Sequence, residues 1–257
     1  MMDNIMIMRL EEVTMNAWPA SQTMFFDGWV LRFADGVFNR AHCIGPLYFS
    51  TEPVEAKIAF CERVYHSIQL PTVFKISERM FPDDLDAVLE RRGYSIQYRI
   101  SVQTLELTSV DVADSPSVQL QEAVDDAWLD QFVHCYESDP ARKPAYRRIL
   151  QRIIPTKCLA RLVVEDRVVG CGVAVLEKPF IGLFDIAVDR AFRNQGLGQV
   201  LIDHILAWGK GHGAKIAYLQ VSTQNPAALR LYEKRGFQEM YQYWYRRNAL
   251  EDNGRSK

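Results

Sequence analysis

The stretch Arg193-Asn194-Gln195-Gly196-Leu197-Gly198 has the residue types and spacing to hold an anion. It follows an apolar run, residues 180–188, that reads as a strand, and it precedes residues 199–208, which read as a helix. Free N–H groups at a helix N-terminus point outward, and the helix dipole favours negative charge there. Gly196 and Gly198 let the backbone approach a phosphate with no Cβ in the way. Arg193 adds a charge-assisted donor. A second segment lies downstream: Asn225-Pro226-Ala227-Ala228-Leu229-Arg230-Leu231-Tyr232-Glu233-Lys234-Arg235-Gly236-Phe237. Asn225 suits an N-cap, Pro226 suits the first helical turn, and Gly236 suits the end.

Together the two segments resemble the acetyl-CoA-binding core of the GCN5-related N-acetyltransferase superfamily. Its signature, Q/R-x-x-G-x-G/A followed by N-x-x-A-x-x-L-Y-x-x-x-G-F, is met by Arg193, Gly196 and Gly198. Downstream it is met by Asn225, Ala228, Leu231, Tyr232, Gly236 and Phe237. The resemblance implies an α/β fold with a mixed sheet, the acyl-CoA N-acyltransferase fold. It implies acetyl-CoA as cosubstrate and direct transfer to an amine within a ternary complex. Arg193, Asn194, Gln195, Gly196, Leu197, Gly198 and Gln199 would then hold the pyrophosphate. The backbone of Ile186, Ala187 and Val188 would pair with the pantetheine arm by strand addition and polarise the thioester carbonyl nearby. Tyr232 would be the general acid for the departing thiolate, because a phenol stays protonated at neutral pH. Asn225 would bond the cofactor, cap its helix, or do both.

The base is open. Asp185 is a charge in an apolar run, and it reads equally as a proton acceptor through water or as a structural hydrogen-bond acceptor. No cysteine sits in a motif for an acyl-enzyme. Two rival readings are a different acyl donor, such as succinyl- or propionyl-CoA, and a non-catalytic acyl-CoA-binding regulatory module.

These residues need a scaffold. The chain has 257 residues, 48% of them hydrophobic and 24% charged, which suits one large or two small soluble domains. A net charge of −2 argues against bulk nucleic-acid or anionic-membrane binding. No apolar run reaches the roughly 20 residues a membrane span needs, and the N-terminus lacks the pattern of a signal peptide. Cytoplasmic residence, as a monomer or homodimer, is the expectation. Cys43, Cys61, Cys135, Cys158 and Cys171 are odd in number with no C-x-x-C pair, so neither a disulfide framework nor a metal site is expected.

A polar, proline-bearing stretch at 109–117 reads as a linker. It separates residues 1–108, with 10 basic and 14 acidic residues, from 109–257, with 20 and 18. Residues 118–250 read as a complete catalytic domain in the order ααβββαβαβ, with 251–257 a polar tail. The closing strand, 240–246, carries Tyr241, Tyr243 and Tyr245 on one face. Residues 1–108 echo it. Leu85 to Tyr94 aligns with Ala228 to Phe237, 72–76 with 215–221, and 54–67 with the helix after the glycine loop. This predicts two tandem copies, the first degenerate. Its loop is Phe49-Ser50-Thr51-Glu52-Pro53, where Glu52 would repel a pyrophosphate, and Leu89 stands where Tyr232 does. Residues 27–36 read as a strand and turn of an amphipathic hairpin.

Overall fold

The computed structural model describes residues 2–34, 37–109 and 117–248. Most of the expected linker, the turn at Asp35-Gly36 and the tail at 251–257 lie outside the described residues.

The first part runs α1 (Met2–Ala17), β1 (Gln22–Phe26), β2 (Trp29–Phe33), β3 (Ile44–Pro46), α2 (Val54–Ser67), β4 (Val73–Ser77), α3 (Leu85–Arg91) and β5 (Tyr94–Glu106). The second runs β6 (Val118–Gln121), α4 (Asp126–Cys135), α5 (Lys143–Arg152), β7 (Thr156–Val164), β8 (Arg167–Glu177) and β9 (Phe180–Val188). It continues with α6 (Leu197–Gly211), β10 (Ile216–Ser222), α7 (Pro226–Lys234) and β11 (Gln238–Asn248). Helix α1 and strands β1, β3 and β6 are additions to the elements read from the sequence.

Local chemistry sets several of these boundaries. Asp125 accepts from the Trp128 amide at 2.6 Å and starts α4. Asn225 accepts from the Ala228 amide at 3.1 Å and starts α7. Glu165 and Asp166 both take positive φ, +49° and +62°, which is the tight two-residue turn that joins β7 to β8.

The eleven strands of the described residues form one sheet in the order β1-β2-β3-β4-β11-β5-β10-β9-β8-β7-β6. The β3–β4 and β9–β10 pairs are parallel and the others antiparallel, so the sheet is mixed. The parallel pairs mark the repeat: each is joined by a crossover helix, α2 or α6, and followed by a short helix and a last strand. Those last strands are exchanged. β5 leaves the first half and pairs with β10, from Ile216↔Glu106 to Ser222↔Ile100. β11 leaves the second half and pairs with β4, from Tyr243↔Ser77 to Arg247↔Val73. β5 and β11 then pair with each other.

The sheet's two faces carry separate cores. One face packs under α1, α4 and α5, where Tyr241, Tyr243 and Tyr245 are all buried. There Tyr241 Oη donates to Glu11 of α1 at 2.6 Å. The other face carries α2 and α3 over the first half and α6 and α7 over the second. All five cysteines are free and buried. Among the described residues no cluster of three or more His, Cys, Asp or Glu could hold a metal, and no helix is long and apolar enough to cross a membrane.

Candidate active site

β9 and β10 stay together only from Ile216↔Phe180 to Leu219↔Leu183. Beyond that β9 runs on to Val188 and β10 to Ser222 with no pairing between them. Asp185 starts the divergence. Its φ is +49°, and the β8–β9 register slips around it, from Cys171↔Ala187 to Val173↔Phe184. Asp185 and Ile186 thus oppose Gly172 alone, which is a bulge, and a bulge bends the strand that carries it. The bend opens a wedge flanked by Ile186, Ala187 and Val188. A strand edge with no neighbour is a template for an extended, amide-bearing partner.

The glycine loop sits at the mouth of that wedge. Asp189 caps a single turn, Arg190–Phe192, by accepting from the Ala191 amide at 2.9 Å. Asn194 and Gly196 then take φ of +63° and +79°, and α6 begins at Leu197 with no side-chain cap. The Gln199 and Val200 amides turn back to the Gly196 carbonyl at 3.0 and 3.3 Å. Among the described residues nothing accepts from the amides of Gln195, Gly196, Leu197 or Gly198. These are the orphan donors of a helix start, facing outward. The glycines differ in purpose. A Cβ on Gly196 would meet open space, so this glycine serves the left-handed turn. A Cβ on Gly198 would come within 3.2 Å of Leu231 Cδ2, so this one lets α6 close on α7.

Arg193 is engaged with protein. Its Nε donates to the Val188 carbonyl at 2.9 Å and its Nη2 to Glu137 at 3.0 Å. His134 and Asp189, 2.9 Å apart, make a second tie between the end of α4 and this loop. Asn225 spends its side-chain oxygen on the cap of α7, leaving its amide nitrogen for other partners.

Tyr232 is 9% exposed and lies edge-on to Phe237, with ring centroids 5.8 Å apart. Burial, with Tyr136 and Asp185 adding to it, pushes its phenol up to about 12. The side chain is therefore a protonated donor throughout the neutral range. Tyr232 of α7 and Tyr136, just after α4, both feel the charge of Asp185 on β9. The Asp185 carboxylate is the largest influence raising Tyr136, ahead of burial.

Asp185 has an ion-pair partner that the sequence did not single out. Arg40 Nη2 lies 2.7 Å from Asp185 Oδ1, and the arginine comes from the first half of the chain. Burial opposes the charge on Arg40 most strongly, but Asp185, Tyr136 and Tyr243 together more than offset it, and the guanidinium is raised above the usual arginine value. Arg40 sits in Asn39-Arg40-Ala41, which resembles no motif, and no sequence signal pairs it with a residue 145 positions away.

The corresponding place in the first half is filled from within. At the start of α2 the Asp27 carboxylate accepts from the Glu52 amide at 2.9 Å, the Thr51 amide at 3.0 Å, Thr51 Oγ1 at 2.8 Å and Ser50 Oγ at 2.9 Å. Lys57, its side chain fully buried, reaches the same carboxylate at 3.0 Å. The Glu52 amide and Lys57 hold Asp27 well below the usual carboxylate range. A carboxylate thus stands where the second half presents free amides. Leu89, aligned with Tyr232, is fully buried.

The comparisons agree with this architecture. A family described as "Probable histone acetyltransferase Rv0428c C-terminal" matches residues 5–246. The "Uncharacterized N-acetyltransferase YobR" of Bacillus subtilis is 26% identical over 245 residues, 93% of this chain and 98% of that one. A GCN5-related N-acetyltransferase from Kribbella flavida superposes with TM-score 0.70 at 14% identity, over 94% of this chain and 95% of that one. A tandem protein of the same superfamily, from the clavulanic acid biosynthesis pathway, superposes with TM-score 0.62 at 14% identity, over 96% and 89%. Shared residues across nearly the whole length, a mixed sheet and an intact glycine loop lead to one conclusion: the chain belongs to the family described as Rv0428c C-terminal and is an N-acetyltransferase of the GCN5-related superfamily.

Proposed function

We propose that the protein transfers an acetyl group from acetyl-CoA to an amine, with one active site per chain, in the second half. The observation that carries this reading is the wedge between β9 and β10. It has free helix-start amides at its mouth, and α7, which follows β10, carries the protonated phenol of Tyr232. The pyrophosphate would rest on the amides of Gln195 to Gly198. The pantetheine amides would extend β9 along Ile186, Ala187 and Val188. The thioester would then reach the bulge, with Tyr232 beside its sulfur.

In the transfer step the amine nitrogen attacks the thioester carbon and a C–N bond forms. The tetrahedral oxyanion collapses and the C–S bond breaks. The leaving sulfur takes a proton from Tyr232 Oη, and the nitrogen gives one proton to solvent, from which the phenol is restored. The balance is one amide and one free thiol per turnover. The first half supplies no second centre, because Asp27 occupies the start of α2 and Leu89 has no proton to give.

The test is thiol release over an amine panel, with acetyl-, propionyl- and succinyl-CoA compared as donors and the acetylated amine identified by mass. Turnover fastest with acetyl-CoA is the expected result. Faster turnover with a longer donor would replace the donor. Tight acetyl-CoA binding with no thiol release from any amine would favour a regulatory module.

A further inference from the structure

One polar group at the bulge has no partner in the transfer scheme. The Asp185 side chain is 4% exposed. Its Oδ1 accepts from Arg40 at 2.7 Å, but its Oδ2 is buried with no hydrogen-bond partner. Leaving a carboxylate oxygen dry and unpaired is costly. So is holding an aspartate in the left-handed region. Both costs fall on one residue, at the point where β9 parts from β10.

Arg40 is held from several sides. Its guanidinium carbon stands 4.2 Å from the centroid of Trp18 and 5.8 Å from that of Phe184. Trp18 stacks on Phe184 at 5.9 Å, so the arginine rests on a fixed aromatic shelf. The Arg40 carbonyl is held in turn by the buried Arg32 guanidinium. The charged and titratable groups that face Asp185 are Arg40, Tyr136 after α4, Tyr146 of α5 and Tyr232 of α7. Tyr146 and Tyr232 are buried, whereas Tyr136 is 43% exposed.

We propose that Arg40 is a positioning residue for the transfer reaction. It fixes Asp185 Oδ1, so that Oδ2 takes an N–H of the incoming amine and aims the nitrogen lone pair at the thioester. This rests on the amine-transfer reading above. It gives the first half a direct part in the second half's active site, and it narrows the acceptor to one whose nitrogen still carries an N–H donor as it reaches the bulge. Arg40 acts only through Asp185, and it touches neither acyl-CoA nor amine.

The experiment uses the full chain and the best acceptor from the amine panel, with variants R40Q, R40K, D185N and R40Q/D185N. Misaiming the nitrogen should cost R40Q about 10²-fold in kcat/KM for the amine, with acetyl-CoA affinity by calorimetry unchanged. R40K should recover most of the loss, because one N–H on Oδ1 is what the geometry uses. R40Q should add nothing to D185N, since the two act as one unit. Should R40Q fail to fold, R40M keeps the stem against Trp18 and carries the same expectation. Wild-type kcat/KM in R40Q, or a loss that adds to that of D185N, overturns the proposal alone. A wild-type protein that binds acetyl-CoA and acetylates no amine overturns the transfer reading and this proposal together.

Discussion

Tyr232→Phe separates chemistry from packing. The substitution removes one oxygen from a side chain that is 9% exposed, and the ring contact with Phe237 at 5.8 Å survives. Among the described residues the hydroxyl has no hydrogen-bond partner, so its loss orphans no other group. Stability should therefore change by less than about 1 kcal/mol. The transfer step should respond far more. Removing a positioned general acid typically lowers kcat by about 10²–10⁴-fold, or ~2.7–5.5 kcal/mol of barrier. Because burial pushes the phenol up to about 12, no loss of rate between pH 7 and 10 should trace to its deprotonation. The same shift has a sign for stability. A phenol held above its unfolded value of about 10 contributes fully below pH 10, and that contribution is lost as pH rises toward 12. The variant should lack this share of the alkaline decline in Tm. The assay is single-turnover thiol release at saturating amine, with acetyl-CoA affinity measured alongside. An unchanged rate constant over the whole pH range, with chemistry rate-limiting, would refute the assignment. So would a rate loss matched by an equal loss of acetyl-CoA affinity.

Gly196→Glu should fold, at a cost of about 1–2 kcal/mol for a side chain in the left-handed region, since its Cβ meets open space. A carboxylate about 4 Å from a phosphate costs ~4 kcal/mol at an effective dielectric of about 20. Acetyl-CoA affinity should then fall by roughly 10³-fold; retained affinity removes the loop from the site. The isolated fragment 115–257 lacks β5, which lies between β10 and β11, and β4, which covers the other edge of β11, so one edge of β10 and both edges of β11 would be bare. It should aggregate on size exclusion, and a monodisperse, equally active fragment contradicts the exchanged-strand account. Asp27→Ala leaves the buried Lys57 without its counter-charge and should lower Tm while acetyl-CoA affinity stays as in wild type. A loss of affinity in that variant would mean that the first half's loop takes part in cofactor binding.

The second half was the more legible in sequence because its signals are local. Asn225, Pro226 and Gly236 bracket α7, and the glycines of the loop precede an apolar-periodic α6. Helix α1 is poorly marked in sequence, because Met2–Ala17 carries no basic residue in its last turn and no glycine stop. Strand β6 is poorly marked too, because Val118–Gln121 is four residues long and half polar. The linker at 109–117 gave no hint that the strand before it, β5, would cross to β10. That pairing joins residues more than a hundred positions apart, and no window of sequence contains it. The bulge was hidden for a related reason. Asp185 is visible as a charge in an apolar run, but its positive φ coincides with an ion pair to Arg40, a slipped register and the parting of the strands, none of which is local in sequence. Glu52 was read as the residue that would repel a phosphate. The structure shows a stronger obstacle in Asp27, whose carboxylate occupies the donors themselves.

The central claim is that a chain built from two copies of one fold keeps a single acyl-CoA site, in the wedge beside Asp185. Calorimetric titration of the full chain with acetyl-CoA tests it most directly, run in parallel on wild type and Gly196→Glu. The account predicts one site per chain in the wild type and none of comparable affinity in the variant. Two equivalent sites in the wild type, or a wild-type isotherm from Gly196→Glu, would contradict it.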